Sequence, residues 1–445
     1  MSLAESVEAI ATGRVSPVDL TERTLATIKA SEPHLNAYAT VMADEARARA
    51  TELADEPARG PLHGIPIGIK DLIDTAGVRT AYGSPLFADH VPTRDAEIVR
   101  RLRVAGAVIV GKHTTHELAW GGRTDSAFFG PTHNPYRRGH IPGGSSGGSA
   151  ASVVAGSCLG ALGSDTAGSV RIPAALSGCV GFKPSRELLP LDGVLPLAPS
   201  LDHLGVLAAT VDDAALLLSA LAPSAPLRSS DVPRVGWLGG WFDAVLAPEV
   251  RAALAATRAR LEEHGVQVED VVVPAEPRLP EALLNRIVAE AGAFHRRAFE
   301  KSPDLFAPDL ADLLHQPPRT SDEAEDDEAA TARMTAFLTQ ALATYDVLAS
   351  ATVPITAPPI GAMTVAVAGR ELPIEPVLTR LTSPFNAAGL PAISLPVALP
   401  DGLPVGVQLA GAAGRDGAVL AAARLVERLT PRLPRPDLGQ RSNES

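Results

Sequence analysis

Cysteine is nearly absent from this chain of 445 residues: only Cys158 and Cys179 occur, both in apolar segments. Two thiols cannot build a disulfide framework, so both are expected to be small buried side chains. Aromatic residues make up only 4%, whereas the apolar fraction, rich in Ala, Val and Leu, reaches 46%. That is the makeup of a packed globular protein, with disorder expected only in the polar, proline-rich tail at 431–445. No apolar run attains the ~20 residues that span a bilayer, and the N-terminus lacks the basic start and apolar core of a secretory signal. A cytoplasmic protein without a membrane partner is therefore expected. Positive charge is scarce too: 39 Lys and Arg against 51 Asp and Glu leave a net charge of -12. The cations are scattered, so the chain has no basic footprint for nucleic acid. No internal repeat is evident.

What the chain does have is two glycine loops that carry serine. Gly143-Gly144-Ser145-Ser146-Gly147-Gly148-Ser149 is followed, after an Ala- and Val-rich stretch, by Ser164-Asp165-Thr166-Ala167-Gly168-Ser169-Val170-Arg171. Upstream stands Lys70, in the apolar run Gly64-Ile65-Pro66-Ile67-Gly68-Ile69-Lys70-Asp71. Glycine permits sharp turns and close approach, so such loops can gather peptide N–H groups and hydroxyls. A serine hydroxyl is a weak nucleophile that needs a base, and lysine serves as one only when burial lowers its pKa. Ile65, Ile67, Ile69 and Leu72 could supply that desolvation, provided Asp71 and Asp74 point elsewhere or are paired. Taken singly, each element has a plainer reading: the Gly/Ser heptapeptide as a flexible loop or phosphate cradle, the lysine as a solvated strand end. The first loop also fits Gly-x-Ser-x-Gly centred on Ser146, an α/β-hydrolase elbow for which Asp212 and His264 would be later partners. No His-Gly-Gly segment accompanies it.

The order and spacing of the three segments resemble the amidase signature family of serine hydrolases. Arg171-Ile172-Pro173-Ala174 and Gly181-Phe182-Lys183-Pro184 continue in register, and the resemblance covers about residues 3–430. It implies that Lys70 is the base, Ser145 a bridging serine on a cis peptide, and Ser169 the nucleophile. Backbone N–H groups of Thr166, Ala167, Gly168 and Ser169 are suited to hold the oxyanion. Ala167 stands where the family usually has glycine. The segment after His116 forms one wall of the family's acyl site, which makes Glu117, Ala119, Trp120 and Asp125 pocket candidates together with Ser146; Trp120 could stack on an aryl or alkyl group. His113 and His116, three apart, could share a helix face. They lack a third ligand, and no metal or cofactor is expected.

Along the chain, Ser2 with Glu5 and Ser16 with Asp19 resemble capping boxes, so residues 1–55 are expected to be helical with a short strand at 37–41. A dense loop-and-strand core follows from 61 to 205, with strands at 108–110 and 159–163 and a helix capped by Asp95. Thr210 starts a helix, and 222–233 reads as a surface connection. Further strands are expected at 234–238, 266–273, 347–350, 392–399 and 405–410, with helices at 248–264 and 415–429. Residues 279–345 read as mostly helical, with the acidic run 322–328 a solvated helix start. The resemblance implies that the 280–345 helices cover the catalytic mouth, where Leu283, Leu284, Ile287, Leu305 and Phe306 could line an apolar entrance or simply pack the core faces of amphipathic helices. The pattern predicts an α/β protein with a central, twisted mixed β-sheet covered by helices on both faces, and the resemblance implies the same architecture as a single amidase domain over 1–430.

The leading functional reading is hydrolysis of a small, aryl or alkyl amide, with esters or carbamates as alternatives. The A subunit of a glutamyl-tRNA amidotransferase is a second reading; against it, Ile172-Pro173 replaces the Gln-Pro typical there, and Ser200-Leu201-Asp202-His203 resembles the free amidases. A binding protein that lost activity is a third, opposed by the intact Lys70, Ser145 and Ser169. The partner is expected to be a small-molecule amide, and the oligomer a homodimer on general grounds.

Overall fold

A computed structural model describes residues 1–225, 233–317, 319–400 and 402–438. Part of the connection expected at 222–233, and the tail beyond 438, lie outside them.

Eleven strands form one mixed sheet. In spatial order they are Tyr38–Val41, Val108–His113, Pro66–Lys70, Gly160–Ser164, Leu204–Ala208, Val180–Lys183, Ala392–Ala398, Pro404–Gly411, Val347–Ala351, Val235–Gly240 and Val268–Val273. The Pro66–Lys70 strand runs parallel to both of its neighbours, whereas the middle of the sheet is antiparallel. Buried strands read as continuous apolar runs, because both faces are covered. Alternation then sends successive side chains to different cores. Ile109 joins the apolar cluster that includes Leu102, Leu217 and Leu218, while Val108 and Val110 join the one with Leu25, Ala150 and Ala174. Helices Glu97–Val104, Val211–Leu221 and Asp416–Leu429 supply the first cluster, and helices Pro17–Leu35, Gly147–Ala155 and Arg171–Ser177 the second.

Side-chain caps open several of the helices. Ser2 and Glu5 form a full capping box, Ser16 accepts the Asp19 N–H, and Thr210 caps the Asp213 N–H. Asp95 does not cap the next helix: its carboxylate accepts the Ala76 N–H and pairs with Arg103 instead. Cys158 and Cys179 are free and buried. Residues 431–438, expected to be disordered, have no regular secondary structure, and the Tyr136 hydroxyl donates to the Pro434 carbonyl.

Helices Leu279–Lys301, Pro308–Leu314 and Ser321–Ala341 occupy the segment expected to cover the mouth. Ile287, Ala291, Phe306, Leu310 and Leu314 pack with Leu118, Trp120 and Ala167 of the signature segments. The acidic run does open a capped helix, with Thr320 and Glu323 as the box. Asp327 departs from the solvated reading: it is buried, accepts from Arg278 and Asn285, and ties two cover helices together.

Candidate active site

Lys70 ends the Pro66–Lys70 strand and is fully buried. Its Nζ lies 2.7 Å from Ser145 Oγ and 2.8 Å from Ser164 Oγ. Burial brings its pKa from 10.5 to about 7, against the opposing pull of Asp165 and Asp202. The nearby carboxylates are engaged elsewhere. Asp71 accepts the Ala81 N–H and lies 3.5 Å from Lys112 Nζ, and Asp74 accepts the Tyr82 hydroxyl.

The first glycine loop presents Ser145 on a cis Gly144–Ser145 peptide. Three donors hold the Ser145 carbonyl: Thr115 Oγ1 at 3.0 Å, the His116 N–H at 3.2 Å and Thr124 Oγ1 at 3.3 Å. Such convergence fixes the backbone from which the hydroxyl projects. Ser146, a pocket candidate by sequence, is fully buried and does not line the cavity. It is a brace between the loops: its N–H donates to the Ser169 carbonyl at 3.1 Å and its Oγ to the Ser164 carbonyl at 3.2 Å. The partners an elbow at Ser146 would need are engaged elsewhere, Asp212 with Arg424 and His264 with the Arg260 carbonyl.

The second loop runs from the end of the Gly160–Ser164 strand to the Arg171–Ser177 helix and is wound around Asp165. That carboxylate accepts the N–H groups of Gly168 and Val170 and is paired with Arg171 at 2.8 Å. Arg171 reaches on to Asn386, Gln408 and the Thr382 carbonyl. Burial pushes the Asp165 pKa up, but the charge and hydrogen bonds of Arg171, with Lys183 and Asn386, outweigh it and hold the carboxyl well below the usual range. The Gly168 N–H is thereby committed to Asp165; of the four expected oxyanion donors, those of Thr166, Ala167 and Ser169 are left. Gly168 has φ +131°, and a Cβ there would sit 2.3 Å from Thr382 Oγ1. Ala167 is not among the residues with positive φ, so its methyl costs no backbone strain, and its carbonyl accepts the Thr382 hydroxyl.

Ser169 lies on the wall of a cavity of about 280 Å³. Ala119, Trp120, Leu283, Leu284 and Ile287 line it as expected, together with Thr166, Ala167 and Ile172. Leu305, Phe306 and Asp125 do not: Phe306 packs edge-on against Phe299, and Asp125 sits 3.4 Å from His116 Nδ1 and 3.5 Å from Arg123 Nε. Glu117 is an anchor for the cover, accepting the Ser84 hydroxyl and the Ala307 N–H. The two histidines share no helix face, because His113 ends a strand. Its ring lies over Gly68, where a Cβ would be 1.9 Å from the ring, and edge-on to Tyr38; burial takes its pKa to about 3. Among the described residues, no group of three or more His, Cys, Asp or Glu side chains is placed to hold a metal ion, and no helix is long and apolar enough to cross a membrane.

Several site residues escaped the sequence reading. Ser164 and Asp165 belong to the second glycine loop, yet nothing in the local sequence gave a sign of their roles. Thr115 and Thr124 look like ordinary loop threonines. Asn386 and Gln408 come from the far end of the chain, with no local motif.

Comparison with known proteins identifies the family and the fold. The family model for amidases matches residues 19–420. The chain is 35% identical to AtzE, one of the subunits of the 1-carboxybiuret hydrolase of Pseudomonas sp. (strain ADP), over 96% of this chain and 98% of that one. It is 34% identical to the A subunit of the glutamyl-tRNA(Gln) amidotransferase of Nitratidesulfovibrio vulgaris (strain DP4), over 98% of each. A crystal structure of an amidase superposes with a TM-score of 0.91 at 36% identity, covering 97% of this chain and 100% of that one.

Proposed function

The chain belongs to the amidase signature family, and from that premise we propose that it is a free-standing hydrolase of carboxylic acid amides, using Ser169 as nucleophile, Ser145 as proton bridge and Lys70 as base. The observation that carries the reading is the fully buried Lys70, 2.7 Å from Ser145 Oγ, on a loop that Ser146 pins to Ser169. With a pKa of about 7, Lys70 is substantially neutral at physiological pH. Its lone pair then accepts the Ser145 hydroxyl proton while Ser145 Oγ takes the proton of Ser169. Ser169 Oγ bonds to the amide carbon, and the C=O electron pair moves to oxygen, where the N–H groups of Thr166, Ala167 and Ser169 are the donors at hand. Collapse of the tetrahedral intermediate breaks the C–N bond, with the proton returned through Ser145 to the leaving nitrogen. Water repeats the sequence on the acyl-enzyme, giving a carboxylic acid and free Ser169.

The amidotransferase reading is favoured by the relative of that name. Against it, Ile172, which stands where that relative's kind typically has the glutamine of Gln-Pro, is an apolar part of the cavity wall. Purified protein incubated with a simple primary amide, without ATP or a partner, is expected to release ammonia. Absence of release from any of a panel of aliphatic and aryl amides would sink the reading.

A further inference from the structure

Arg123 is the single cationic side chain among the described residues that line the cavity beside Ser169, and only 4% of it is exposed. Its positive charge is already matched. Nη2 lies 2.7 Å from an Asp309 carboxylate oxygen, Nε 3.2 Å from Glu375 and 3.5 Å from Asp125, and Nη1 contacts the Met363 sulfur. Asp309 comes from the cover helix Pro308–Leu314 and Glu375 from the helix Ile374–Thr379, so three separate segments meet at this guanidinium. Glu375 is held in turn by the Gly122 N–H. Asp312 adds a further carboxylate to the lining. The wall is otherwise largely apolar, built from Trp120, Ile172, Leu197, Leu283, Leu284 and Ile287.

A site that recognises a carboxylate presents it with an unengaged guanidinium or ammonium, whose fork matches the two oxygens. Here the guanidinium donates to Asp309, and the Glu375 and Asp125 carboxylates stand 3.2 and 3.5 Å from its Nε without a hydrogen bond, so the surrounding acids outnumber it. An incoming carboxylate would lose its hydration and meet carboxylates of the same sign. An aliphatic or aryl group loses nothing polar on entry, and each methylene it buries strengthens binding roughly fourfold. We propose that this cavity accepts amides of uncharged, apolar acyl groups and rejects those that carry a carboxylate, with Arg123, bonded to Asp309 and facing Glu375, as the specificity-determining residue. This rests on the hydrolase reading for turnover and on the cavity alone for binding.

The test pairs hexanamide with adipamate, which has a carboxylate at the far end of a similar chain, and adds L-glutamine. Wild-type kcat/KM is expected to favour hexanamide by about 100-fold over either anionic amide, a ratio typical of pocket-level discrimination. Calorimetry on Ser169→Ala reads the same preference without turnover. The double variant Asp309→Asn/Glu375→Gln, which frees the guanidinium charge, should raise adipamate relative to hexanamide by about 10-fold or more. Adipamate or glutamine bound by Ser169→Ala as tightly as hexanamide would overturn the inference, whatever the double variant does. Hexanamide preferred in binding but not hydrolysed by the wild type would support the pocket assignment and overturn the hydrolase reading.

Discussion

Lys70 and Ser145 stand 75 positions apart in the chain and 2.7 Å apart in the structure. A strand end and a glycine loop have been brought together so that a buried amine meets a hydroxyl. If this contact is the proton path, Lys70→Ala should lower kcat by about 10³-fold or more, the scale seen when one member of a catalytic unit is removed. Ser145→Ala should fall in the same range, and the double variant should be little worse than either single one. Additive losses, measured as kcat on a simple amide, would show that the two residues do not act as a unit.

The lowered pKa of Lys70 has a sign that can be checked. Activity needs the neutral amine, so kcat/KM should rise with pH through about 7 and then level off. The unfolded chain keeps that lysine protonated up to about pH 10.4. Between about 7 and 10 the unfolded state therefore holds one more proton, and the native state gains on it by about 1.4 kcal/mol per pH unit from this group. Buried Lys112 and Lys183 are held below the usual lysine range as well, so chemical denaturation across that window should show both wild type and Lys70→Met gaining with pH, the wild type more steeply by about 1.4 kcal/mol per pH unit.

Asp165 and Arg171 form a fully buried ion pair at 2.8 Å. Removing one partner leaves a buried charge uncompensated, so Arg171→Met should cost about 3–5 kcal/mol in urea unfolding. A loss under about 1 kcal/mol, the scale of an exposed pair, would mean that the pair does not hold the second loop.

Gly168 and Ala167 should respond in opposite ways. Gly168→Ala places a methyl against Thr382 in a backbone conformation that L residues avoid, and activity should drop by about 10²-fold or more. Ala167→Gly removes a methyl from a residue under no such strain and should stay within about fivefold of wild type. Comparable losses in both variants, read as kcat, would contradict this account of the loop.

Much of this arrangement was legible before the structure, and the reasons are local. Strands such as Val347–Ala351 and Pro404–Gly411 are buried on both faces and so read as apolar runs bounded by turn residues. Lys70, Ser145 and Ser169 lie in compact motifs whose joint order is informative. What stayed hidden depends on distance along the chain. Asn386 and Gln408 meet Asp165 and Arg171 across 221 and 237 positions. No window of sequence contains both partners. The reading of His113 and His116 as one helix face failed because three-residue spacing is shared by many conformations, and here the segment ends a strand. Asp95 has the chemistry of a cap but satisfies Ala76 and Arg103 instead, a choice made by tertiary contacts. The role of Arg123 could not be read either, since its partners Asp309 and Glu375 lie in other segments.

The most direct test of the central claim is the pH dependence of fluorophosphonate labelling, followed by intact mass and by mapping the modified peptide. One adduct per chain is expected, on Ser169, with a labelling rate that climbs as pH passes about 7 and collapses in Lys70→Ala. Labelling of Lys70→Ala at the wild-type rate, or an adduct on a serine other than Ser169, would contradict the account.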